Sequence, residues 1–245
     1  MFEYPHEVIR HNMETLVPNL KYRLRVGEYR EIADGVFAAD DASLSKQVIT
    51  ETGEGPIVLE QSASVGPFSV LRGTVFLGAY ARVNEHAVIK DNVSVGHTTK
   101  IGGEVEATVV EPYSNKQHHG FLGHSYIGSW INLGAGTCNS DLKNTYGKVN
   151  IQYGGQKTET GMQFVGCIMG DYAKTAINTE IFTGKTIGVC SMLYGFVTTN
   201  VPSFVNYARL FGQFSELPAE VMIATQRRIF SRRNVEQRPC DIQII

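Results

Sequence analysis

Aliphatic residues recur every six positions along the middle of the chain: Leu59, Val65, Leu71, Leu77, Val83, Ile89, Val95 and Ile101 share one phase. Four positions after each of the first six stands a small or branched residue, Ala63, Ser69, Val75, Ala81, Ala87 and Val93, and glycine directly follows Val65, Leu77, Val95 and Ile101. A period of six matches neither the 3.6 of a helix nor a sustained alternation of two. It predicts a three-sided solenoid of short strands, each turning one large aliphatic side chain inward, joined by bends that need small residues and a permissive backbone. Each coil can bury its apolar side only against its neighbours in the stack. The predicted fold class is all-β, a left-handed parallel β-helix of hexapeptide repeats, since a β-sandwich does not keep so strict a period.

The period breaks at 103–120, resumes at Ile127 and Leu133, breaks again at 138–163, and returns through Met169, Ile181, Ile187 and Leu193 with Thr175 in one slot. The two breaks read as loops thrown out of the prism wall, where function commonly sits. Within the second, Lys148 to Tyr153, Gly154-Gly155 and Gln156 to Thr160 predict a hairpin. Three regions follow: a flanking segment over 1–45 with a short helix around His6 to Leu16 and irregular sequence from Lys21 to Asp41, the β-helix over 46–202, and a C-terminal arm over 203–245. In the arm, Ser215 to Arg233 reads as a helix with Pro218 in its first turn. Arg227, Arg228, Arg232 and Arg233 at its end either complement the helix dipole and meet solvent, or contact a phosphate.

Composition narrows the classes. With 22 basic against 24 acidic residues in 245, no basic field invites nucleic acid, so any anion site must be local. Cys138, Cys167, Cys190 and Cys240 are widely spaced without a CxxC pair, which predicts reduced thiols rather than a zinc ribbon or a disulfide scaffold. The first ten residues carry Glu3, His6 and Glu7 and lack a signal-peptide core, and the apolar run Ile187 to Val197 is too short to span a bilayer. The expectation is a cytoplasmic protein with no membrane partner.

The densest titratable stretch is Ser114 to His124, at the first break. A histidine there suits acyl transfer to an amine, because an ammonium nitrogen has no lone pair until a base removes its proton. The run Ser114 to Thr137, SNKQHHGFLGHSYIGSWINLGAGT, resembles the acetyltransferase half of the bifunctional enzymes that make UDP-N-acetylglucosamine. The chain is still more similar to the C-terminal part of related sugar nucleotidyltransferases, through GGEVE at Gly102 to Glu106, NSDLKN at Asn139 to Asn144 and GDYAKTAINT at Gly170 to Thr179.

That resemblance implies a homotrimer with active sites between subunits, an amino-sugar phosphate substrate and acetyl-CoA as donor. Carried over by position, it makes His118 the general base, Phe121 the replacement for a substrate-side tyrosine, Asn132 a sugar contact and Ala135 an acetyl-CoA contact. Arg72 falls on an arginine that holds the sugar's phosphate, a task suited to a planar fork. Two positions depart from the family: Glu106 stands where a phosphate-binding lysine is expected, and Asp141 where a catalytic-loop asparagine contacts the cofactor. Lys116 and Lys143 are the candidates to supply the missing charge. Residues 1–45 hold no nucleotide-binding signature, which raises the alternative of a non-catalytic trimerisation module or a subunit of a split enzyme whose nucleotidyltransferase is a separate chain. A third reading follows from His97, His119 and His124, whose spacing is similar to the γ-type carbonic anhydrases and would offer zinc three imidazoles; the leading reading uses no metal.

Overall fold

In the computed structural model, which describes residues 2–245, the inward side chains of the repeat stack in three columns. Met1, at the start of the expected flanking segment, lies outside the described residues. On face 1 of the prism, Leu59, Leu77, Val95, Val110, Ile127, Met169 and Ile187 pair in parallel register. Face 2 stacks Leu44, Val65, Val83, Ile101 and Lys116, and face 3 stacks Thr50, Leu71, Ile89, Val105 and Leu122. All eight aliphatic positions of the six-residue phase are buried. The predicted parallel β-helix is therefore present, with mostly aliphatic side chains stacked on one another inside the prism.

Each coil turns through residues in the left-handed backbone region. On the bend from face 1 to face 2 these are Asp41, Ser62, Tyr80, Thr98, Tyr113, Trp130, Tyr172, Cys190 and Phe204, with φ between 56° and 63°. Such conformations cost about 1 kcal/mol apiece for residues with a Cβ, and are held here by the parallel ladders on either side.

The expected loop at 103–120 is instead continuous prism. Glu104–Glu106, Val109–Val110 and Asn115–Lys116 are strands of faces 3, 1 and 2. The inward position advances by four residues from Ile101 to Val105 and by five from Val105 to Val110, because Gly103 (φ 70°) and Ala107 (φ 44°) tighten two bends. The phase shifts without the wall opening. The second break is a true insertion: after Cys138–Asn139 the chain leaves the wall, forms the antiparallel hairpin Asn150–Tyr153 with Gln156–Glu159, and rejoins at Cys167–Met169.

Helix α1 spans His6–Val26, ten residues beyond the expected end and through Pro18. It lies on the outside of face 1, burying Ile9 among Val149, Ile151, Val165 and Ile168, and Leu16 and Leu20 against Val58. Packing on both sides of Pro18 outweighs its lost hydrogen bond. The expected irregular stretch to Asp41 contains the strands Arg30–Ala33 and Val36–Ala38, the latter already part of face 1. In the arm, Gln213–Glu216 is a strand and helix α2 begins at Ala219, running to Ser231, with Pro218 preceding it. Leu217 precedes proline, which disfavours the helical region there and splits the expected element.

Candidate functional site

Strand alternation sends every second residue outward, and on face 2 these residues form a ladder: Arg82, Lys100, Asn115, Asn132 and Lys174 are successive partners. Helix α2 lies over this ladder. It is seated by Phe230 on Trp130, ring centroids 4.4 Å apart, while Trp130 stacks flat on Tyr113 at 4.1 Å. Arg233 donates from Nη2 to Asn115 Oδ1 at 2.7 Å. Between helix and wall is a cavity of about 300 Å³ whose lining includes Lys100, Lys174, Arg232 and Arg233, together with Asn115, Gln117 and Asn132, and no carboxylate. Burial pushes Lys174 down to about 8, and its Nζ donates to the Tyr172 carbonyl at 2.8 Å. Lys100 is lowered by burial and then by Arg233, Arg82 and Arg232. The groove is a region of concentrated, uncompensated positive charge.

His118 occupies the next bend, one residue past Gln117, with its ring exposed. Among the described residues no side chain hydrogen-bonds that ring. Its peptide carbonyl accepts from Lys116 Nζ at 2.8 Å, and the same ammonium donates to the Gly102 carbonyl at 2.9 Å. Lys116 therefore does not meet substrate through an open face. It is 3% exposed and takes an inward slot of the prism, with burial lowering it to about 8. An amine fits there because the slot lies beside two bend carbonyls that need donors.

The other sequence-derived positions are distributed over separate faces. Asn132 is exposed on the face 2 ladder, and Ala135 sits in the following bend, its carbonyl accepting from the Asn178 amide at 2.7 Å. Arg72 is on face 3, in register with Lys90 and Glu106. It is bound to Asp91 at 2.9 Å, and Lys90 bridges Glu104 and Glu106 at 2.9 and 3.0 Å. Face 3 thus neutralises its own cations and, within one chain, does not bring Arg72 to the groove. Asp141 lies at the bend from face 3 to face 1, paired with His124 Nδ1 at 2.8 Å; the His124 ring stacks on Phe164 and the Phe121 ring reaches the same corner beside Asp141. This group clamps the neck of the insertion, where the Val165 and Gly166 amides donate to the Asp141 and His124 carbonyls. Lys143 donates to the Lys148 carbonyl inside the insertion.

The histidines of the zinc reading stand on three different bends: His97 against Tyr113, His119 beside His118, and His124 bound to Asp141. One chain does not assemble them around one ion. Residues missed in the sequence are Arg82, Lys100 and Lys174. Each precedes an inward slot, Val83, Ile101 or Thr175; reading every third hexapeptide as one wall aligns Arg82 with Lys100, but the shortened bends and the insertion put Lys174 out of that count.

A stack of short strands recurring about every six residues with these bends defines a hexapeptide-repeat β-helix. The chain is a distant relative of the bifunctional sugar nucleotidyltransferase–acetyltransferases. It is 25% identical over 149 residues to the bifunctional sugar-1-phosphate nucleotidylyltransferase/acetyltransferase of Sulfurisphaera tokodaii, and 24% identical over 204 residues to the bifunctional protein GlmU of Thermotoga petrophila. These alignments cover 60% and 82% of this chain but 37% and 39% of the relatives' length. A solved hexapeptide transferase family protein from Anaplasma phagocytophilum is 14% identical, with a TM-score of 0.38 over 78% of this chain and 87% of that one. No family model matches the chain.

Proposed function

We propose that this protein transfers an acetyl group from acetyl-CoA to the amine of an amino-sugar phosphate, with His118 as the base. The observation that carries this reading is that Gln117, which lines the cationic groove, directly precedes the exposed His118 in the chain. The groove supplies local positive charge for a phosphorylated reactant, and the acceptor amine meets His118 beside it. Imidazole takes the amine's proton, the freed lone pair attacks the thioester carbonyl, and the C–S bond breaks as the thiol of CoA leaves with a proton. Lys116 is a positioning residue in this scheme, fixing the His118 bend through its carbonyl. A cytoplasmic setting belongs to the same proposal; no described helix is long and apolar enough to cross a membrane, and the four cysteines are free. Release of free thiol from acetyl-CoA with glucosamine 1-phosphate tests the reading. His118→Ala is expected to slow it by about 100-fold or more, with the melting temperature unchanged, the usual scale for losing a general base. Equal turnover by the variant removes His118 from the mechanism.

A second reading is an assembly module, favoured by the unpartnered His118 ring, by the Arg72–Asp91 pair and by Phe68, Ile177, Phe182 and Phe196, all exposed by 45% or more. A homotrimer, or a complex with a separate nucleotidyltransferase chain, would cover these side chains. It predicts an oligomer by sedimentation that releases no thiol with any amino-sugar phosphate.

A further inference from the structure

The charge in the groove exceeds what a single phosphate requires. Lys100, Lys174, Arg232 and Arg233 all line the cavity, and none forms an ion pair among the described residues. On face 3, by contrast, the chain neutralises its cations, Arg72 with Asp91 and Lys90 with Glu104 and Glu106. Holding these cations partly out of water is unfavourable without an anion: burial is the main cause that lowers Lys174, Lys100 and Arg233, and neighbouring arginines lower Lys100 and Arg233 further. A monophosphate offers at most two negative charges against four positive ones.

Geometry agrees with a longer anion. Lys100 and Lys174 are three rungs apart on the ladder, about 14 Å at the strand spacing. Arg232 and Arg233 reach in from the opposite side, and the amides of Asn115, Gln117 and Asn132 lie between. The stacked Tyr113 and Trp130 hold the end wall closed, and Phe230 holds α2 in place as a roof. All of these residues come from one chain, so the site is complete without a neighbouring subunit.

We propose that the cavity between face 2 and α2 is a binding site for a diphosphate ester, gripped by Lys100 and Lys174 from the wall and by Arg232 and Arg233 from the helix. The diphosphate belongs either to a nucleotide-linked sugar acceptor or to the coenzyme A donor; assigning it to either rests on the acyl-transfer reading, while the diphosphate site itself does not.

Calorimetric titration of the full chain at low salt with inorganic pyrophosphate and with inorganic phosphate tests this. Pyrophosphate is expected to bind at least tenfold more tightly than phosphate, and Lys100→Gln to weaken it about tenfold, the scale of one charge-assisted hydrogen bond. The double variant Arg232→Gln/Arg233→Gln should lose most of the binding, and Lys157→Gln on the exposed hairpin none. If the double variant loosens α2 and melts early, Lys100→Gln, on a strand held by the prism, carries the test alone. Equal affinity for the two anions, no binding of pyrophosphate, or wild-type binding by Lys100→Gln overturns the site. Displacement of pyrophosphate by UDP identifies an acceptor site, and displacement by dephospho-CoA a donor site. His118→Ala should bind pyrophosphate like the wild type, so a chain that binds it yet transfers no acetyl group refutes the proposed reaction and leaves this site standing.

Discussion

Replacing Lys116 by methionine should alter how stability varies with pH. Burial holds the Lys116 ammonium at about 8, against 10.5 when exposed. Below the lower value both folded and unfolded chains carry the proton, and the folded state bears the full cost of burying it. Between the two values the unfolded chain still binds the proton and the folded chain has released it, so raising the pH favours the folded state. With 1.36 kcal/mol per unit, the native state recovers about 2 kcal/mol between about pH 7.5 and about pH 10. The neutral amine keeps two N–H donors, matching the carbonyls of Gly102 and His118. Other groups titrate in this range: Lys174 acts in the same direction, while Cys167 and Cys190, raised to about 11, and Tyr126 and Tyr153, raised to about 12, act in the opposite one. These contributions cancel when the variant is subtracted from the wild type. Urea unfolding of both proteins at the two pH values should therefore show the wild type gaining about 2 kcal/mol relative to Lys116→Met. A difference that stays constant, or that moves the other way, would refute the placement of a charged lysine in the prism.

Two further outcomes follow from the packing. His124→Leu leaves the Asp141 carboxylate, 14% exposed, without its hydrogen-bond partner at the neck of the insertion. It should cost about 2 kcal/mol locally and raise amide exchange and proteolysis around Gly154-Gly155, and unchanged protection there would show that the pair does not clamp the neck. Ile89→Ala removes a fully buried side chain stacked between Leu71 and Val105. A loss of about 3 kcal/mol in urea unfolding is expected from the cavity, and a loss below about 1 kcal/mol would mean that the coils are not packed as described.

The coil was legible because one aliphatic slot in six is sufficient to mark an inward-facing strand, and Leu59 through Ile101 keep that phase without error. The hairpin was legible because Gly154-Gly155 permits the tight turn between two polar strands. At 103–120 the same rule misled, since a fixed period cannot register bends shortened at Gly103 and Ala107. The polar inward residue Lys116 then looked like a surface group. Helix α1 extends past the expected end at Leu16 because contacts with face 1 on both sides of Pro18 carry it to Val26.

Of the candidate site, the sequence by itself determined the outward strand position of Asn132, one residue before the inward slot of Leu133, whereas the stretch bearing His118 read as a loop outside the wall and is a bend of the prism. Only the tertiary structure decided which charges meet. Lys100 and Lys174 are 74 residues apart in sequence and share a ladder because the coils between them stack in register. Arg233 reaches Asn115 because α2 folds back over face 2. Asp141 was drawn to His124 rather than to the groove because both flank the neck of one insertion. Periodicity reports which way a side chain points; the wall it shares, and the opposite charge it finds there, depend on contacts between residues remote in the chain.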